Sequence, residues 1–133
     1  MRYRNTLAVA LLAAITISAT ADAAIGLHIA SQHFPEKSYN NDNPGVYARF
    51  DNGLTIGTYR NSFRRQATYA AYTYEYGRFA VSAGLISGYD RPWLLVPSVR
   101  VLDIDNVSLR LAVIPAIEKG GSSVAHLMLE AKF

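Results

Sequence analysis

From residue 24 onward the chain alternates apolar and polar positions with a period of two, the period of a strand whose faces see different surroundings. The last segment is the clearest case. Between Val124 and Phe133, Ala125, Leu127, Leu129, Ala131 and Phe133 share one face, while His126, Met128, Glu130 and Lys132 share the other. Eight such segments cover about 25–34, 45–51, 54–61, 67–76, 79–87, 94–104, 107–117 and 124–133. They are rich in Val, Ile, Tyr, Phe and Thr, with Gly, Asn and Asp between them. No stretch after residue 24 sustains a helical period. Asn52-Gly53 is a hairpin signal, because both residues tolerate positive φ. Gly77-Arg78 and Asp105-Asn106 are tight turns on the same ground. The other connections, about 35–44, 62–66, 88–93 and 118–123, are longer.

Long and short connections therefore alternate along the chain. In a meander this gathers every long loop at one end and every tight turn at the other, an asymmetry typical of bacterial outer-membrane barrels. The expected fold class is all-β, an eight-stranded antiparallel up-and-down β-barrel of outer-membrane type, with residues 24–133 as its single domain. Register is tested by Arg100. A strict two-residue turn at Asp105-Asn106 puts Arg100 on the face of Leu109 and Leu111, where lipid contact costs roughly 2–4 kcal/mol. A bulge instead turns Arg100 inward with Arg110, within reach of Glu130, Glu75 and Asp103. Pro97 and Pro115 flank the same turn almost symmetrically. Proline cannot donate to a ladder, so the pair marks either a bend at the rim or a gap in strand pairing that admits a lipid tail sideways. Ala80, Ser82 and Gly84 share one face of their strand, and Tyr69, Ala71, Thr73 and Glu75 share one face of theirs. With the small residues inward, the upper lumen has room.

The residues before the first strand read as a secretory signal peptide, residues 1–23. Arg2 and Arg4 precede an apolar run from Leu7 to Ile17, and Ala21-Asp22-Ala23 is a small-x-small cleavage pattern. The run is too short to span a bilayer as a helix. Composition adds exclusions. The chain has 133 residues, 50% of them hydrophobic, and no Cys. A disulfide framework, a thiolate metal site and a lipid-anchored N-terminus are excluded. Its net charge of +3 includes Arg2, Arg4 and Asp22 of the signal, so the processed chain carries +2. That is too weak for nucleic acid, and none is expected as a partner. There is no phosphate-binding glycine motif and no zinc-type His spacing, so neither cofactor nor metal is expected.

The short motifs converge. Leu94-Leu95-Val96-Pro97, Val113-Ile114-Pro115 and Val124 to Phe133, together with Tyr39-Asn40-Asn41, Pro44-Gly45 and Tyr59-Arg60-Asn61-Ser62-Phe63, span most of residues 25–133. This set resembles the lipid A palmitoyltransferases, eight-stranded outer-membrane enzymes of Gram-negative bacteria. The resemblance implies transfer of a phospholipid acyl chain to lipid A or a related glycolipid. It implies lateral lipid access at Pro97 and Pro115. It places the catalytic residues at His28, Asn61 and Ser62, with Asn61 standing where the family has Asp. It puts Thr73 at the acyl-pocket floor, where the family has Gly. The first strand starts close to the cleavage site, which leaves no place for the family's N-terminal helix. Phe133 resembles the signal read by the outer-membrane assembly machinery. A monomer is expected.

Acyl transfer needs a base to activate a hydroxyl and donors for the developing oxyanion. His28 serves as base in this reading. His33 is its rival, and five residues of regular strand point the two to opposite faces. His126 is expected inward, at middle or lower height. Arg60, Arg64, Arg65 and Arg91 are candidates for contact with lipopolysaccharide phosphates, since a guanidinium binds phosphate bidentately. Two other functions fit the pattern. One is a catalytically inactive outer-membrane barrel that binds lipid or modifies the cell surface, and Asn61 motivates it. The other is a soluble periplasmic lipid-binding barrel.

Overall fold

The computed structural model describes residues 23–36, 38–114 and 122–133. The predicted signal peptide lies outside them except for Ala23. Eight strands run in chain order: β1 Ala24–Phe34, β2 Asp42–Arg49, β3 Leu54–Arg60, β4 Gln66–Tyr76, β5 Phe79–Ile86, β6 Trp93–Ile104, β7 Val107–Ile114 and β8 Ser123–Lys132. Each pairs antiparallel with its sequence neighbours, and β1 also pairs with β8, so the barrel is closed. Closure gives every strand a partner on both sides. The tight turns fall where the sequence placed them. Gly53, Gly77 and Asp105 adopt positive φ of 93°, 59° and 51°. β2 begins at Asp42, earlier than the pattern suggests, because Asp42 still pairs with Ala30 of β1. The predicted end of β7, from Pro115, lies outside the described residues.

Two bulges set which side chains face inward. In the β6–β7 ladder, Leu102 opposes Leu109 and Arg100 opposes Arg110, so Val101 is the extra residue. Arg100 thereby joins the face of Arg110, and its guanidinium donates to the Gly77 carbonyl at 2.9 Å. In β1, His28 opposes Met128 of β8 while Ala30 opposes Leu127, so Ile29 is the extra residue. This overturns the expectation that His28 and His33 point to opposite faces. An added residue shifts the alternation, and both imidazoles are buried in the lumen.

The lumen is the core. Tyr47 and Tyr69 cross it over glycines: a Cβ on Gly26 would lie 2.0 Å from the Tyr47 ring, and one on Gly57 would lie 2.5 Å from the Tyr69 ring. Toward the tight-turn end, four buried charges form an alternating ring. Arg49 meets Glu75 at 2.9 Å and Glu130 at 2.6 Å, and Arg110 meets the same two carboxylates at 3.1 and 3.0 Å. Tyr47 adds a hydrogen bond to Glu130 at 2.7 Å. Each charge thus has partners of opposite sign, the condition under which buried charge is tolerated. The outer face is apolar. Ile25, Leu27, Val46, Ile56, Val81 and Val113 stand exposed along it.

Candidate functional site

Above the charged ring lies a cavity of about 360 Å³ that reaches the long-loop end. That volume is at the small end of the range for small-molecule sites. Its walls differ. β1 to β4 contribute His28, His33, Tyr47, Tyr59 and Tyr69, whereas β6 to β8 contribute Leu94, Val96, Ala112, Ile114, Val124 and Met128. Thr73 lies low in the cavity, one inward step from Glu75. Its hydroxyl bonds Thr55 at 2.8 Å and Ser82 at 2.7 Å.

At the mouth, His33 joins two loops. Its Nδ1 lies 2.6 Å from Asn41 Oδ1, and its Nε2 lies 3.0 Å from Ser62 Oγ. Asn41 Oδ1 can only accept, so Nδ1 carries the proton and the Nε2 lone pair faces the Ser62 hydroxyl. Tyr39 stacks on the His33 ring at 4.7 Å. The loops are fastened to each other and to β1. Asn40 N–H donates to the Ser62 carbonyl at 2.9 Å, and Ser31 N–H donates to the Asn41 carbonyl at 2.9 Å. A hydroxyl, a base in hydrogen-bond reach and a third group orienting the base make up an activated nucleophile.

The structure thus gives Ser62 a histidine, and it is His33 rather than His28. His28 belongs to a separate chain deeper in the lumen. Asn43 Nδ2 donates to the Arg60 carbonyl at 2.9 Å, which leaves Asn43 Oδ1 to accept from Ser31 Oγ. Ser31 Oγ then accepts from His126 Nδ1 at 2.8 Å. His126 Nε2 accepts from His28 Nδ1 at 2.8 Å, and His28 Nε2 accepts from the Tyr69 hydroxyl at 2.8 Å. Every member is satisfied and the polarity is single. His126 points inward, as expected, and stands level with Ser31 and Ala112, near the middle of β8.

Asn61 does not face either imidazole. It is fully buried and serves the loop backbone. Its Nδ2 donates to the Gly88 carbonyl at 2.8 Å, and its Oδ1 accepts from the amides of Phe63 at 2.9 Å and Arg65 at 3.0 Å. Of the two proline positions, Pro97 lies in β6 opposite Val81, and Pro115 lies outside the described residues. Among the described residues, the β6–β7 ladder runs from Ile104 opposite Val107 to Ser98 opposite Ala112, and β6 itself continues to Trp93. Leu95, 54% exposed on the outer face, also borders the cavity. Wall and outer surface therefore meet at Leu95, on the segment of β6 that pairs with β5 through Trp93–Pro97. The four arginines lie toward the long-loop end. Arg60 is exposed at the end of β3. Arg64 donates to the Ser38 carbonyl at 3.2 Å, Arg65 lies 6.0 Å over Phe63, and Arg91 lies 5.4 Å over Trp93.

Sequence reasoning quoted Asn41 without giving it a role, because the pairing of loop Asn41 with strand His33 depends on the bulge at Ile29. The charged ring was partly visible, in the inward Arg110, Glu75 and Glu130; Arg49 had no signal beyond its alternation. Among the described residues, no group of three or more His, Cys, Asp or Glu is arranged to hold a metal ion. No protein-family model matches the chain, and no curated protein matches it.

Proposed function

We propose that this chain is a small outer-membrane β-barrel that transfers an acyl chain from a phospholipid to lipid A or a related glycolipid. One observation carries the reading: Asn41, His33 and Ser62 are hydrogen-bonded in series at the mouth of a cavity with an apolar wall. The apolar outer face supports lipid embedding, since solvated monomers rarely expose so much contiguous apolar surface.

The donor phospholipid approaches sideways, beside Leu95 and Pro97, and lays an acyl chain against Leu94, Val96 and Ile114. His33 Nε2 takes the Ser62 proton as Ser62 Oγ bonds to the ester carbonyl carbon. The tetrahedral intermediate collapses, the bond to the glycerol oxygen breaks, and that oxygen leaves with the proton from His33. Lysophospholipid and acyl-Ser62 result. A glycolipid hydroxyl then gives its proton to His33 and attacks the acyl carbon, and Ser62 leaves protonated. Ser62, Tyr39 and Phe63 also border an outer recess that includes Arg64 and Arg65. These arginines suit the phosphates of the acceptor. Asn41 holds the tautomer but cannot neutralise the imidazolium that forms, so turnover is slow.

The test is mass spectrometry of lipid A from a Gram-negative host expressing the chain, with insertion checked by heat-modifiable gel migration. An added acyl chain is expected, and it should vanish with His33→Ala or Ser62→Ala. Inserted protein without any added acyl chain on lipid A, phospholipid or other glycolipid sinks the reading.

A further inference from the structure

Beside Ser62 stand two phenols that the serine relay does not use. Tyr59 Oη and Tyr89 Oη lie 2.6 Å apart, and both side chains border the same cavity as Ser62. Two phenols own two O–H protons, and one mutual hydrogen bond uses only one of them. Among the described residues, neither has another hydrogen-bond acceptor. One proton is therefore left to be donated into the cavity.

The pair is held in place relative to the serine. Asn61, the residue before Ser62, donates to the carbonyl of Gly88, the residue before Tyr89. Gly88 adopts φ of +82°, and a Cβ there would lie 2.9 Å from Asn61 Nδ2, so glycine is required for this approach. The Phe63 ring, on the other side of Ser62, meets Tyr89 edge-on at 5.6 Å. On the cavity side, Tyr59 packs against His28 at 4.7 Å and edge-on to Tyr69 at 6.1 Å. Burial pushes the Tyr89 phenol above its ordinary range, while hydrogen bonding from Tyr59 and the Ser62 backbone draws it back. A phenol kept protonated remains a donor.

We propose that the Tyr59–Tyr89 pair is the oxyanion donor for attack at Ser62. Tyr59 donates to Tyr89, and Tyr89 donates its own proton to the oxygen that gains charge as the carbonyl becomes tetrahedral. The role rests on the acyl-transfer reading above. Donors preset for a developing oxyanion act without reorganising, and loss of one typically lowers the rate by about 10²–10³-fold.

The experiment uses the full barrel in detergent micelles and an alkyl fluorophosphonate. Ser62 Oγ bonds to phosphorus, the P–F bond breaks, fluoride leaves, and the serine proton passes to His33. The rate of Ser62 labelling is read by mass spectrometry, and equilibrium binding of an unreactive fluorescent fatty acid is read alongside. Labelling in Tyr89→Phe is expected to slow about 10²-fold with fatty-acid binding unchanged. Tyr59→Phe should fall between that variant and the wild type. Labelling of Tyr89→Phe within threefold of wild type overturns the oxyanion role and leaves the serine relay standing. Should Tyr89→Phe fail to insert, an undiminished rate in Tyr59→Phe overturns the pair. A wild type that binds fatty acid but is never labelled at Ser62 overturns both the pair and the relay.

Discussion

Asn61 and Asn41 are chemically identical, yet their surroundings set them opposite tasks. Asn61 uses its amide as a donor and its carbonyl oxygen as a double acceptor. Asn61→Asp keeps the acceptor and puts a carboxylate oxygen against the Gly88 carbonyl. A buried acceptor left without its donor costs about 1–3 kcal/mol. Asn61→Asp should therefore lower stability by that amount, read from urea unfolding in micelles, and slow acyl transfer by loosening the loop that carries Ser62. Asn41 only accepts, from His33 Nδ1. Asn41→Asp keeps that bond and adds the charge that balances an imidazolium, so acyl transfer should quicken at least about tenfold. An active, fully stable Asn61→Asp, or an Asn41→Asp no faster than the parent, would reverse these assignments. From sequence alone Asn61 was the natural stand-in for a missing carboxylate, because it precedes Ser62. Nothing in the residue order shows that its side chain turns back onto its own loop.

At the scale of elements, one residue in β1 decides the site. Alternation along β1 shows where the strand starts, but a bulge leaves composition and mean pattern unchanged. Period-two reasoning therefore put His28 and His33 on opposite faces, and Ile29 brings them to one. The second bulge, at Val101, was legible, since an arginine stranded among leucines signals that strict alternation fails there. The proposed sideways route depends on the part of β6 before Ser98, beside Leu95 and Pro97. The chain has no cysteine, so Val96→Cys with Ile114→Cys offers one clean pair across that stretch. Joining them with a short bis-maleimide should tie β6 to β7 and block the proposed sideways route. Turnover of phospholipid in vesicles should then fall at least about tenfold, while turnover of a short water-soluble ester that enters from the long-loop end persists. Equal loss of both substrates, or of neither, argues against the sideways route; lateral access predicts that the two separate.

For the whole molecule, the fold was the most legible level, because eight alternating segments and the order of long and short connections leave few topologies open. What surrounds the closed barrel is a question for its outer face. Leu129 decides it well. It stands on the outer face between Leu27 of β1 and Leu109 of β7, four residues before Phe133. That spacing is about 13 Å along a strand, close to half the height of a ~25 Å apolar band. Leu129→Arg leaves the lumen, the charged ring and the Asn41–His33–Ser62 series untouched, so its cost reports what lies outside. Against hydrocarbon near the midplane the guanidinium costs about 2–4 kcal/mol. Against water, an exposed surface substitution stays within about 0.5 kcal/mol. Reversible urea unfolding from lipid vesicles should therefore show the larger loss, and Lys132→Arg, at the tight-turn end, should show almost none. Equal and negligible losses at both positions would make the apolar face a solvated surface. The sideways route would then have no bilayer to open into.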